Sequence, residues 1–582
     1  RRLERERVDE NRKRKMIRKA AKILLEESHV TGHSSTSRYV RIVEGILILS
    51  ISFLLPEYSL FEERTWNVVV GMYLLANPEA AKVMCIGFLT LTFTLSHRHF
   101  LFGFMTLVNA FAWYCETAEW NEKEKTRMFF SRRQVNRPQN LHDFVPYCTE
   151  NLQDPYPWYK ALRDESPIYK IPGFDYYVVS RYEDIQKICK NTKAFSSNLV
   201  SILLRGGSTL NRPISGIVDV LALQDPPIHS RQRRIAMKSL SPKFFRSLED
   251  EVRVLSRCLF EKIFKSDSCS GFCWMNNFAN VLPMRVTLRL LGLPEEDHEL
   301  VKRWADCTLS LESIILNETL THTQTTTGGV ALLAGVNTVE EFIRNITEAS
   351  KLLSWVQQRV NEKIRNVEKD VDDTERPSTR KDFTIHLIRE GLQKDELSKD
   401  EVSSIVLQII MAGNDSSASA MGSCVRILVE RPDIQKMLRE DRSKIPDFVD
   451  EVLRLESPFA GHFRKVVKPV KIRDTQFMPG DRVQVLWASG NRDPRVYDRP
   501  DELNLSRKSK RRHLGFGYGI HMCLGNPLAK MEIRVVLEEL LCKTQSVYSR
   551  YDIESPMYIQ SAFVRSLDSL YVGVEKKIPC DY

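Results

Sequence analysis

One ten-residue string constrains this chain more than any other: Phe516-Gly517-Tyr518-Gly519-Ile520-His521-Met522-Cys523-Leu524-Gly525. It places a single cysteine in a glycine-rich loop and runs on into the helix-like Pro527-Leu528-Ala529-Lys530-Met531-Glu532. Glycines let the backbone come close to a flat group. Backbone N–H groups and a helix start hold the negative charge of a sulfur. Read as a dinucleotide loop the string fails, because Met522 stands where a third glycine is needed. A bare cysteine is usually a small buried hydrophobe. Here its spacing from Phe516, His521, Gly525 and the two inner glycines sets it apart.

The string resembles the haem-binding loop of the cytochrome P450 family. In that family the cysteine thiolate is the axial iron ligand, so the resemblance makes Cys523 the metal ligand, with Phe516, His521 and Gly525 around it.

Three distant segments agree. In Glu451-Val452-Leu453-Arg454 the acid and the base share a helix face and can pair. Ser457-Pro458, Phe463-Arg464 and Met478-Pro479-Gly480-Asp481 follow in an order that resembles the family's K helix and the strand after it. The resemblance makes Glu451 and Arg454 a buried structural clamp. Ala412-Gly413-Asn414-Asp415-Ser416-Ser417 follows an apolar run and on its own reads equally as a helix end. It resembles the family's I helix, which assigns proton relay to Asp415 and a hydrogen bond to bound oxygen or an ordered water to Ser416. The family usually has threonine there; serine keeps the hydroxyl and loses the methyl that stiffens χ1. In Asp225-Pro226-Pro227-Ile228-His229-Ser230-Arg231-Gln232-Arg233, His229 and Arg233 share a helical face. The segment resembles a bacterial-type C helix, where these positions bind a haem propionate, and Arg464 and His521 match two further propionate contacts. Glu502 stands where the family supplies an arginine to the Glu451/Arg454 network, which leaves Arg507 or Arg499 to replace it.

The resemblance covers about Pro138 to Val574 and implies a mainly α fold with small β-sheets, the triangular cytochrome P450 fold around haem b (iron protoporphyrin IX). Its start is legible as a helix near Tyr156 and a strand with a following helix from Tyr176. It implies a monooxygenase that inserts one oxygen atom of O2 into a lipophilic substrate. No nucleotide loop or cysteine cluster offers an attached redox module, so a separate ferredoxin or flavoprotein reductase is the expected electron donor. Asn198–Val220 and Thr319–Val336 match the B–C region and the mobile F–G lid, and Phe459-Ala460-Gly461-His462-Phe463 would line the pocket. Two rival classes stay open: a peroxide-driven oxygenase or isomerase on the same scaffold, and a membrane-tethered haem sensor or binding protein.

Twelve cysteines in 582 residues do not form a disulfide framework. A net charge of +10 spread along the chain does not imply nucleic-acid binding, although basic surface suits an acidic redox partner. Residues 1–41 read as a basic helical segment, 42–115 as a hydrophobic helical region, 116–137 as a linker and 138–582 as the catalytic domain. The apolar stretches Ile42–Leu55, Thr65–Ala76, Lys82–Leu95 and Phe100–Cys115 each fall short of the roughly 18 residues of a confident span. They nevertheless lack a polar face, and their flanks on both sides are basic. The expectation is a membrane-associated chain with its catalytic domain in the cytoplasm; the alternative is a soluble cytoplasmic protein.

Overall fold

The computed structural model describes residues 140–582, apart from 145, 147–148, 173–175, 199–217, 266–269, 321–338, 370–381, 509–511, 560, 562–563 and 578–582. The expected basic segment, hydrophobic region and linker therefore lie outside the described residues, as do most of the two expected substrate-recognition segments. Among the described residues no helix is long and apolar enough to cross a membrane.

Helices dominate, as the resemblance implies. In chain order they are α1 (Thr149–Gln153), α2 (Tyr156–Glu165), α3 (Tyr182–Lys190), α4 (Ile228–Ser239), α5 (Pro242–Lys265), α6 (Leu282–Leu290) and α7 (His298–Leu320). There follow α8 (Val339–Lys369), α9 (Phe383–Glu390), α10 (Lys399–Glu430), α11 (Pro432–Glu440), α12 (Ile445–Leu455), α13 (Trp487–Gly490) and α14 (Asn526–Lys543). The strands are β1 (Ile168–Lys170), β2 (Tyr177–Val179), β3 (Phe195–Ser196), β4 (Phe272–Cys273), β5 (His462–Val466), β6 (Val470–Ile472), β7 (Thr475–Phe477), β8 (Arg482–Val485), β9 (Thr544–Ser549) and β10 (Tyr571–Lys576).

The long helix α10 runs through the main core. A reciprocal capping box starts it: Ser398 Oγ accepts from Glu401 N at 3.1 Å, and Glu401 Oε2 accepts from Ser398 N at 2.8 Å. Pro432, at the first position of the next helix, marks its end. Buried residues run round α10 over its second half, so it is enclosed on all sides rather than lying on a surface. It packs against α6, α8, α14 and β9. The Ala412–Ser417 sextet lies within the continuous helix, which excludes the helix-end reading.

α14 packs against α5 and α10. Along its seam with α5, Arg253 and Arg257 bridge to Glu539, and Arg534 bridges to Glu249 at 2.6 Å. Helix α4 is fastened to α10 through Glu401 Oε1, which accepts from Arg231 at 2.5 Å and Gln232 at 2.8 Å.

A five-stranded sheet has the order β1-β2-β8-β5-β3. Only its β2/β8 pair is parallel; the others are antiparallel. In the β5/β8 register His462 faces Val485 and Arg464 faces Val483. Side chains alternate along a strand, so His462 and Arg464 share one face and Phe463 lies on the other. There Phe463 meets Tyr176 edge-on, with ring centroids 5.3 Å apart. Smaller sheets, β4-β10-β9 and β6-β7, complete the described fold.

Candidate active site

The loop before α14 is built backwards from its cysteine. Cys523 N donates to Phe516 O at 2.9 Å, Met522 N to Gly519 O at 3.1 Å, and Gly517 N to Leu514 O at 2.8 Å. Gly517 and Gly519 take φ of +72° and +80°, where a side chain is strained. At Gly519 an added Cβ would also stand 2.8 Å from the Cys189 carbonyl oxygen. The loop's base is tied down by Asn491, whose Oδ1 accepts from Leu514 N at 2.5 Å and whose Nδ2 donates to Ser457 Oγ at 2.7 Å. Phe516 lies between His513, at 5.6 Å between rings, and the Lys530 ammonium, 5.4 Å from its centroid.

Cys523 is solvent-accessible, yet burial raises its thiol pKa, so its sulfur faces an internal recess and not the outer surface. The backbone N–H groups of Gly525 and Asn526 and the charge of Arg233 act the other way and favour the thiolate. A negative sulfur is thus opposed only by desolvation, and the donors that would stabilise it are already aimed at it.

Around the recess stand basic groups from three separate elements. His229 of α4 and His521 of the loop pack with ring centroids 4.2 Å apart. Arg233, one turn along α4, donates to Met522 O at 2.7 Å. Arg464 of β5 is buried. Burial pushes the His521 pKa down to about 3, helped by Arg464, His229, Arg233 and His462. Burial and Arg233 also lower His229, against the pull of Asp225. Asp225 itself is engaged by Ser196 Oγ and by Ser197 N, the latter at 3.0 Å. Both ring nitrogens of His521 and Nδ1 of His229 are buried without a hydrogen-bond partner. Orphaned donors among uncompensated cations call for anionic oxygens. Two carboxylates on a flat group whose metal faces Cys523 satisfy that demand, so the residues present fit haem.

The Glu451/Arg454 pair of α12 is fully buried, with guanidinium nitrogens 2.9 and 2.8 Å from the two carboxylate oxygens. Arg507, not Arg499, completes the network: its Nε donates to Glu451 Oε1 at 2.9 Å. Glu502 does no harm where it stands. Its backbone carbonyl accepts from Arg454 at 3.0 Å and from Arg507 at 3.2 Å, while its exposed carboxylate pairs with Arg499. Burial would raise the Glu451 carboxyl, and the two arginines more than offset it and hold it low.

Asp415 and Ser416 are adjacent on α10 but are engaged differently. Asp415 Oδ1 lies 3.2 Å from Lys302 Nζ and accepts from Asn414 Nδ2 at 2.6 Å. Ser416 Oγ donates to Ala412 O at 2.9 Å. Lys302 also holds Asp306, its neighbour one turn along α7. Burial works against the Lys302 ammonium, but Asp415 and Asp306 outweigh it and raise its pKa. Burial, partly offset by Lys302, raises Asp306 to about 6. Lys302 and Asp306 were not singled out from the sequence; a Lys-x-x-x-Asp spacing looks like an ordinary solvated helix pair.

A further carboxyl, Glu532 of α14, is buried against Ser417 of α10 with one oxygen unpartnered. Burial raises its pKa well above the usual value against the Ser417 hydrogen bond. Folding therefore favours its protonated form, and that preference is without cost only below the unfolded pKa of about 4.3. Stability is lost as pH rises from there towards the raised folded pKa. Glu532→Gln should match the parent in urea denaturation at pH 4 and exceed it at pH 7.5; a variant less stable at both would show that the charged form is the native one.

The Cytochrome P450 family profile matches residues 166–564. "Cytochrome P450 144" of Mycobacterium tuberculosis is 29% identical over 437 residues, 74% of this chain and 91% of its own length. "Cytochrome P450-terp" of a Pseudomonas species is 28% identical over 433 residues, 73% of this chain and 92% of its own. Among solved structures, "cytochrome P450 CREJ in complex with (4-ethylphenyl) dihydrogen phosphate" is 26% identical with a TM-score of 0.61, covering 75% of this chain and all of the other.

The chain belongs to the cytochrome P450 family, whose members carry haem ligated by a cysteine thiolate. It is a monooxygenase of that class, an oxidoreductase that draws on O2 and a redox partner as the family generally does.

Proposed function

We propose that Cys523 is the thiolate that would ligate a haem b, and that the chain inserts one oxygen atom of O2 into a lipophilic substrate with electrons from a separate ferredoxin or flavoprotein reductase. The observation that carries this is the cysteine in its recess, beside two histidines with unpartnered ring nitrogens and the cations Arg233 and Arg464. When bound, the haem supplies O2 activation, to which the thiolate contributes electron density. The chain's own work is to hold, orient and supply protons. Gly525 and Asn526 N–H groups and Arg233 favour the anionic sulfur against the desolvation that opposes it. Arg464 and Arg233 would neutralise the cofactor's carboxylates and His521 and His229 would donate to them, with Phe516 and Gly525 shaping the loop beside it.

Asp415 and Ser416 would manage protons. Asp415 is held by Lys302, so delivery of a proton requires its carboxylate to leave that ion pair and turn towards the reaction. The Ser416 hydroxyl, spending its proton on Ala412 O, is left as an acceptor. Asp415→Asn should keep the spectrum of the loaded protein, lower turnover about 100-fold and raise the solvent deuterium isotope effect. Unchanged turnover would remove Asp415 from the relay.

The reading is tested by supplying the reduced protein with O2, a ferredoxin–reductase pair and a panel of apolar compounds. Product that needs both O2 and reductant supports it. Product formed only with added peroxide would favour the peroxide-driven alternative. Membrane attachment, with the catalytic domain in the cytoplasm, rests on the apolar stretches of 42–115 and their basic flanks; flotation of the full chain with phospholipid vesicles tests it.

A further inference from the structure

We propose that His462, aimed by Trp487, is an additional donor to a haem carboxylate and helps set both cofactor retention and reduction potential. The inference rests on the reading of the recess as a haem site.

His462 opens β5 two residues before the buried Arg464, on the same face of the strand. It has the same combination seen at Cys523. The side chain is solvent-accessible, yet burial, with Arg464 beside it, lowers its pKa to about 4. It faces the recess as a neutral imidazole, and its electrostatic influence reaches His521 on the thiolate loop.

The tautomer is dictated by Trp487. Indole Nε1–H can only donate, and it donates to His462 Nδ1 at 2.7 Å. A neutral imidazole accepting at Nδ1 carries its proton on Nε2. The ring is also steadied by Phe459, whose centroid lies 5.1 Å away. Trp487 is itself buried at the start of α13. Its ring edge lies 3.9 Å from where a Cβ on Gly517 would stand. One indole thus joins the thiolate loop to the strand that carries Arg464, and fixes a donor between them.

Charge balance indicates what the Nε2–H meets. Arg464, Arg233, His229, His521 and His462 together bring cations and donors to one place. The acid that influences this group, Asp225, is already occupied by Ser196 and Ser197. An incoming carboxylate is the complementary partner, whereas an apolar substrate would leave the Nε2–H unpaired.

The test uses the full-length holoprotein. Haem transfer to an excess of apomyoglobin is timed, and the reduction potential is measured, for the parent and for His462→Phe, His462→Gln and Trp487→Phe. The expected result is release about tenfold faster from His462→Phe with a lowered potential, since a donor near the carboxylates is gone. His462→Gln should restore most of the retention, and Trp487→Phe should fall between. The red-shifted Soret band of the carbon-monoxide complex should persist in all of them. Parental release and potential in His462→Phe would overturn the proposal while leaving the haem reading intact. A parent that binds no haem, or lacks that band, would overturn both. Should His462→Phe fail to fold, His462→Glu and His462→Gln decide: faster release from the glutamate variant supports a carboxylate partner, and equal release refutes it.

Discussion

Cys523→Ser should abolish the thiolate signature and reduce monooxygenase turnover to background, while the fold survives. The survival is as informative as the loss. The side chain lines a recess and is not part of the main core, so its removal creates no packing defect there. The hydrogen bond that shapes the loop runs through backbone, from Cys523 N to Phe516 O. Serine keeps that bond and the helix start after it, but its hydroxyl does not ionise to replace a thiolate. Thermal unfolding of the variant's apoprotein should lie within a few degrees of the parent's, corresponding to a change of about 1 kcal/mol or less. A carbon-monoxide spectrum of Cys523→Ser that keeps the parent's red-shifted band would remove Cys523 as the ligand.

Glu451→Gln has the largest expected effect on stability. It leaves Arg454 and Arg507, both buried, without their shared counter-charge, a defect that costs about 3–5 kcal/mol. The same substitution at Glu502 should change stability by no more than about 0.5 kcal/mol, because that carboxylate is exposed beside Arg499 and its useful atom is a backbone oxygen. Urea denaturation of both variants checks the contrast, and equal losses would contradict the assignment of Arg507 to the network. The pH dependence follows from the depressed Glu451 pKa. Its contribution is fully present above the unfolded carboxyl pKa of about 4.3 and is lost as pH falls through the folded value.

The site was legible where chemistry sits in short, fixed spacings. The Cys523 loop, the Glu451/Arg454 turn and the His229/Arg233 turn each lie within one element; the structure joins Glu451 and Arg454 in a buried ion pair and packs His229 against His521 of the loop. What long-range folding decides was less legible. The sequence left Arg499 and Arg507 equal, and only the path of 498–507 turns Arg507 inward. Lys302 was missed because its partner Asp415 is on a different helix. Glu532 reads as one more charge on a helix rich in them, yet it lies on the buried side of α14. His462 was placed at a pocket wall, but its aim depends on Trp487, which the sheet register brings beside it. The order of the five-stranded sheet, with its single parallel pair, has no local signature at all.

Whether the Cys523 thiolate holds a haem is read from the difference spectrum of the reduced, carbon-monoxide-bound protein. The expected result is a strongly red-shifted Soret band that Cys523→Ser eliminates. A haem band without that shift, or folded protein that takes up no haem, would contradict it.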